Sequence, residues 1–187
     1  MMDNTSEARL ALVYPRLARL IRELHDRLSA SDIRIVVVQG LRTVSQQDLL
    51  YAQGRTRPGS IVTNARGGQS YHNYGLAVDC APMVGTVIDW DASHPAWKAM
   101  EEAGVALGLT SGATWQRIVD APHFQLTGPW PVGSPNDAVR QLYAAQGLPG
   151  LWAELDAYYA AQEPAAPSPA TTPPASPSPR EDSPGES

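Results

Sequence analysis

The sequence predicts an α+β domain, a small and mostly antiparallel sheet flanked by helices. Three observations carry that expectation. Across residues 5–29, Leu10, Val13, Leu17, Ile21, Leu24 and Leu28 recur at steps of three and four, the period of a helix with one apolar face. The run IRIVVVQGLR, Ile33 to Arg42, is compact and β-branched, as a buried strand is. GLAVDCAPM followed by GTVIDW reads as a strand and its hairpin partner.

The first helix is capped by Thr5 or Ser6, and Pro15 implies a kink or a late start, because proline removes a backbone donor. His25, near the helix C-terminus where a cation is favoured, is expected at the surface. SQQDLLYAQG forms a short helix closed by Gly54. Residues 55–75, rich in Gly, Ser, Asn and Arg, form a loop whose length marks it as functional or disordered. Pro95 opens a helix to about Leu107, capped by Asp91 or Ser93, with Trp97 and Met100 on its core side and His94 as an entry residue. GLTSGATWQRIVDAPHFQLTG is a loop that ends in a strand, and residues 135–162 form one or two helices broken at Gly147-Leu148-Pro149.

From Glu163 the composition changes. Eight of the last 25 residues are Pro, with no Val, Ile, Leu, Met or aromatic residue among them. Such a segment cannot bury enough apolar surface to offset its ordering entropy, so a disordered tail is expected over 163–187, after a domain over 1–162. Hydrophobic residues make up 43% of the 187, enough for one core. The net charge of −5, without a basic stripe, argues against a nucleic-acid partner. No apolar run approaches a membrane span. Cys80 is the single cysteine, so no intrachain disulfide is expected and a small buried hydrophobe is its reading. The N-terminus MMDNTSEARL lacks a signal-peptide pattern, which predicts synthesis in the cytoplasm, and a monomer is expected.

The chemistry concentrates in two places. In Ser70-Tyr-His72-Asn-Tyr-Gly75-Leu-Ala-Val-Asp79, an acid stands inside an apolar strand, where it is costly unless paired or metal-bound. Gly75 and Ala77 leave room for close backbone or ligand approach. In Asp120-Ala-Pro122-His123-Phe124, a histidine again leads into an apolar strand with an acid three residues earlier. A straight strand would point those two side chains to opposite faces, but a bend at Ala121-Pro122 would turn both into one cavity. Two imidazoles and a carboxylate suit catalytic zinc, with the fourth position left for water. A further carboxylate would then take the water proton. Glu101 and Glu102 on the helix are the only glutamates between Ile33 and Gly128, so that base is an Asp, with Asp120 better placed than Asp89 or Asp91. Taken singly, each histidine also reads as a hydrogen-bonded structural residue, and each acid as a turn residue or ion-pair member.

SYHNYGLAVD resembles the Ser-x-His-x-x-Gly-x-Ala-x-Asp pattern of VanY-type zinc peptidases of the cell wall. That family holds D-alanyl-D-alanine carboxypeptidases and L-alanyl-D-glutamate endopeptidases. The stretch from Gln39 to Asp79, and DAPHFQ after it, resemble the endopeptidase branch, which includes many phage endolysins; the likeness spans about Val36 to Leu126. It implies zinc held by His72, Asp79 and His123, with Asp120 as catalytic acid–base and Arg42 near the substrate, clamping a carboxylate or stabilising an oxyanion. It also implies substrate-side positions at Ser70 and Gln47, with helix packing the other reading of Gln47. Trp115 lines the substrate groove or fills core. The implied fold is Hedgehog/DD-peptidase-like, with the zinc in a cleft on one sheet face. The implied function is hydrolysis of the L-alanyl-D-glutamate bond in peptidoglycan stem peptides, reached through lysis or non-classical export. D-alanyl-D-alanine carboxypeptidase and a non-catalytic zinc or wall-binding module are the alternatives. Leu41 departs from the aromatic residue common before the arginine, which implies a packing change. Many of these endolysins carry a separate wall-binding module; the C-terminal remainder here reads as two short helices and a Pro-rich tail, which implies weak wall anchoring, with a truncated linker the other reading of the tail.

Overall fold

A computed structural model describes residues 2–116 and 119–163. The tail expected from Glu163 onward lies, beyond that residue, outside the described residues. The elements run α1 (Asn4–Leu10), α2 (Pro15–Ser29), β1 (Arg34–Gln39), α3 (Val44–Ala52), a 3₁₀ turn (Tyr71–Tyr74), β2 (Ala77–Val84), β3 (Val87–Ile88), α4 (Pro95–Ala106), β4 (Thr110–Ser111), a second 3₁₀ turn (Gly112–Thr114), β5 (His123–Gln125) and α5 (Asp137–Ala160). The sheet has the order β1-β2-β5-β4, with β3 also on β2, and every pairing is antiparallel. The α+β expectation holds.

The single helix expected over residues 5–29 is two. Pro15 occupies the first turn of α2, where its missing N–H costs nothing, and the chain turns between Leu10 and Pro15. The cap of α1 is Asp3 rather than Thr5 or Ser6; its carboxylate accepts from the N–H groups of Thr5 (2.9 Å) and Ser6 (3.0 Å). Ser6 instead turns inward, where its Oγ accepts from the buried N–H of Val37 at 2.9 Å and joins α1 to β1. His25 is buried rather than at the surface, 3.0 Å from Asp26 Oδ1, because it falls on the inward face of α2 beside Leu24 and Leu28. His94, not Asp91 or Ser93, caps α4, its Nδ1 accepting from Ala96 N–H. The short strand β4 lies inside the stretch expected to be loop, too brief for an alternation pattern to show. In α5 the helical path is interrupted at Gly147, as the Gly-Leu-Pro break implied.

Leu17, Ile21 and Leu24 of α2 pack with Ile35, Val37, Val78, Cys80, Met100 and Phe124 into one core. Cys80 is fully buried there, and burial pushes its thiol well above the usual range, so it packs as a small hydrophobe. The opposite end of α5 supports the region around the first histidine. Trp152 Nε1 donates to the carbonyl of Tyr74 at 2.9 Å, and the buried Tyr14 hydroxyl meets Asp156 at 2.6 Å.

Candidate metal centre

Each side chain of the site is aimed by a short, specific piece of backbone. His72 lies in the 3₁₀ turn Tyr71–Tyr74, which Ser70 caps by accepting from His72 N–H. Gly75 ends that turn at φ 65°, a left-handed conformation that disfavours a side chain, and a Cβ there would come within 2.9 Å of the Trp152 ring. The room at Gly75 is thus used by protein packing rather than by a ligand. Asp79 sits in the central strand β2, paired with Gln39 across a bulge on one side and with His123 on the other. Directly opposite positions in adjacent strands share a face, so Asp79 and His123 point together.

Asp120 precedes β5 in a turn that returns the His123 N–H to the Asp120 carbonyl at 3.1 Å. The straight-strand geometry is avoided, and both side chains line one cavity, as a bend at Ala121-Pro122 requires. Gly112 makes this possible: a Cβ there would lie 2.5 Å from the Asp120 carbonyl oxygen and 2.9 Å from His123 Cβ.

The inner ring nitrogens converge. His72 Nε2 is 3.1 Å from Asp79 Oδ1, His123 Nδ1 is 3.3 Å from the same oxygen, and the two nitrogens are 3.2 Å apart. Their protonation follows from the outer nitrogens. His72 Nδ1 faces the carbonyl oxygen of Gly40 at 2.9 Å and so carries the hydrogen. His123 Nε2 faces Gln125 Oε1 at 2.9 Å, while the Gln125 amide nitrogen donates to Val132 O, so His123 Nε2 is also the donor. With both imidazoles neutral, two ring lone pairs and one carboxylate oxygen point at a common centre. A divalent cation at that centre would satisfy all three donors. Four ligands at about 2.0–2.2 Å in a tetrahedron lie roughly 3.3–3.6 Å apart, so these spacings, tighter by a few tenths of an ångström, fit a small divalent ion and this donor set.

The electrostatics agree. Burial alone would raise the Asp79 carboxyl, but the His72 charge and the hydrogen bonds from both histidines hold it well below the usual carboxylate range. Burial pulls the His123 imidazolium down, yet the hydrogen bond to Asp79 and the Asp79 charge raise it overall. Burial and then Asp79 push the Asp120 carboxyl up, against the pull of His123, His72 and Arg42. Burial lowers the Arg42 guanidinium, offset by Asp79 and Asp120.

The structure brings the eight residues singled out in the sequence to one place, in different capacities. His72, Asp79, His123, Asp120, Arg42, Ser70 and Trp115 all line a cavity of about 300 Å³. Asp120 Oδ2 is 3.9 Å from His123 Nδ1, with its side chain 43% exposed at the cavity mouth. Arg42 Nη2 lies 3.5 Å from Asp79 Oδ2. The Trp115 ring packs against His123 with centroids 4.9 Å apart and remains part exposed, so it is wall rather than core. Gln47 departs from the expected substrate contact. It is fully buried behind Arg42, accepting from Arg42 Nη1 at 2.7 Å and donating to Ala65 O at 2.9 Å. Asp89 and Asp91 stay apart from the cavity, in the turn before α4. Gln125 was not foreseen, although its place two residues after His123 in a strand puts it on the same face.

Two nitrogens and a carboxylate around an open cleft, with a further acid at its mouth, define the class as a mononuclear metallohydrolase centre. Residues 63–126 match the profile of a peptidase family described as D-alanyl-D-alanine carboxypeptidase. The chain is 39% identical over 120 residues to the peptidoglycan L-alanyl-D-glutamate endopeptidase CwlK of Bacillus subtilis, covering 57% of this chain and 71% of that protein. It is 36% identical over 122 residues to the L-alanyl-D-glutamate peptidase of Escherichia phage T5, covering 63% of this chain and 82% of that one. Among solved structures, the L-Ala D-Glu endopeptidase ChiX of Serratia marcescens aligns with 29% identity and a TM-score of 0.48, over 65% of this chain and 86% of its own. The chain belongs to the M15 family of metallopeptidases.

Proposed function

We propose that this protein is a zinc-dependent peptidase of the bacterial cell wall that hydrolyses the L-alanyl-D-glutamate bond of peptidoglycan stem peptides. The observation that carries the reading is the convergence of His72 Nε2, His123 Nδ1 and Asp79 Oδ1, each within 3.3 Å of the others, on one open cleft. The choice of bond rests on the likeness to CwlK and the phage T5 peptidase, whose names state it.

His72, Asp79 and His123 would hold the ion. Bound there, zinc supplies Lewis-acid polarisation of the scissile carbonyl and lowers the pKa of a water toward about 7. Asp120, at the cleft mouth, accepts the proton of the attacking water and passes it to the leaving amine as the C–N bond breaks. Arg42 directs its guanidinium toward the developing oxyanion or a substrate carboxylate. Gln47 holds Arg42 in place, Ser70 orders the turn that carries His72, and Trp115 forms a wall of the groove. In this reading the protein acts on the wall as a monomer, residues 1–162 form the peptidase domain, and residues 163–187 form a tail.

A D-alanyl-D-alanine carboxypeptidase is the second reading, favoured by the description of the matching family. Digestion of purified peptidoglycan with and without chelator, followed by mass spectrometry of the new termini, separates the two. New D-glutamyl N-termini that vanish with chelator are expected. Free D-alanine with the L-alanyl-D-glutamate bond intact would transfer the assignment to the carboxypeptidase. Asp120→Asn should keep its zinc and lose about 10²- to 10⁴-fold in turnover. Wild-type protein no more active than this variant would leave a non-catalytic zinc or wall-binding module.

A further inference from the structure

Three arginines, Arg55, Arg57 and Arg66, lie on the loop between α3 and β2, and no Asp or Glu occurs between Asp48 and Asp79. The fold uses two of them. Arg55 donates to the carbonyls of Tyr51 (2.7 Å) and Thr63 (2.9 Å) and to Asn64 Oδ1 (2.7 Å), with its guanidinium 4.1 Å from the Tyr51 ring centroid. Arg66 packs over the same ring at 4.9 Å.

Arg57 differs. Its main chain is pinned, with its N–H on the Ala52 carbonyl at 3.0 Å and its carbonyl accepting from Gly54 N–H at 2.9 Å. Its guanidinium, in contrast, makes no side-chain hydrogen bond or ion pair among the described residues, and the residue is exposed. It lines a second cavity, of about 660 Å³, together with Arg42, Gln46, Gln53 and an apolar floor that includes Leu49 and Pro58. Arg42 and Leu50 line both this cavity and the one holding the metal ligands, so the two adjoin.

The lining of the second cavity contains cations and amides and no carboxylate, in a protein whose net charge is −5. A free guanidinium with amide donors beside an apolar floor matches a carbon chain that ends in a carboxylate. We propose that this cavity is a substrate subsite for a carboxylate-bearing side chain on the second residue beyond the scissile bond, with Arg57 as its specificity-determining contact. The assignment rests on the peptidase reading above for the identity of the peptide, but its binding chemistry does not require turnover.

The test uses two synthetic probes: fluorescein-labelled L-alanyl-γ-D-glutamyl-meso-diaminopimelate, and the same tripeptide with the side-chain carboxylate of its third residue converted to the carboxamide. Affinity is measured by anisotropy on zinc-loaded Asp120→Asn protein, with and without Arg57→Gln. The free acid should bind roughly two- to fivefold tighter than the amide, and Arg57→Gln should erase that preference by weakening the acid alone. Equal binding of the two probes, a preference that survives Arg57→Gln, equal weakening of both, or no binding of either overturns the subsite. Zinc content and melting temperature of Arg57→Gln should match those of its parent. Cleavage is read separately on proteins that keep Asp120. An intact L-alanyl-D-glutamate bond alongside an Arg57-dependent preference would remove the peptidase reading and leave the subsite standing.

Discussion

His72 and His123 reach the same centre through different ring nitrogens, Nε2 and Nδ1, and each is oriented by what its other nitrogen meets. Gly40 contributes a carbonyl that any residue would supply, whereas Gln125 contributes its side chain. Gln125→Leu should therefore weaken zinc binding by about 10- to 100-fold with little change in secondary structure, measured by competition with a chromophoric chelator. Gln47 acts one step further out, through Arg42. Gln47→Leu keeps volume and removes the acceptor, so zinc affinity should stay unchanged while kcat/KM falls by about 10- to 100-fold; loss of zinc would assign it a general structural role instead. At this scale the candidate ligands were legible in the sequence. An acid between Val78 and Cys80 has few explanations, and histidines bordering two apolar strands have few partners. The orientation of Gln47, inward behind the arginine rather than into the cleft, was not legible, because a helix of weak amphipathic pattern does not announce which face is buried.

Among the elements, the N-terminal helices show where local pattern stops being sufficient. The apolar positions of residues 5–29 keep helical spacing through the break, since Leu10 and Val13 are both buried although the chain turns between α1 and α2. Spacing records which side faces the core, and it does not record that Ser6 serves a strand. Ser6 Oγ is the partner of the buried Val37 N–H, so Ser6→Ala leaves a backbone donor in β1 unsatisfied. We expect a loss of about 1–3 kcal/mol in urea unfolding, with unchanged zinc affinity, because β1 meets the site only through Gln39 and the following loop. The β2–β5 pairing was partly legible: both strands were expected, while their register, with Asp79 opposite His123, depends on hydrogen bonds between segments more than 40 residues apart.

For the whole molecule, a metal bound at this centre would link chemistry to stability. Three donors supplied by two strands and a turn form a high-affinity set only in the folded chain, so zinc should stabilise the native state by mass action. Free zinc at about one hundred times Kd should raise Tm by roughly 5–10 °C, measured by calorimetry, and His72→Ala should abolish the shift. An equal shift in that variant would place the zinc elsewhere. What the sequence by itself determined is the inventory: an α+β chain, two histidines and two acids beside apolar strands, which the family resemblance singles out as candidate donors and acid, and an apolar pattern able to bury them. Only the tertiary structure decided which nitrogens point inward, that Gln125 and Gln47 orient the site, and that Arg57 borders a cavity beside the cleft. The physical reason is that composition and period are properties of one segment. Convergence of lone pairs, by contrast, depends on the register and crossing of segments that meet only when the chain folds.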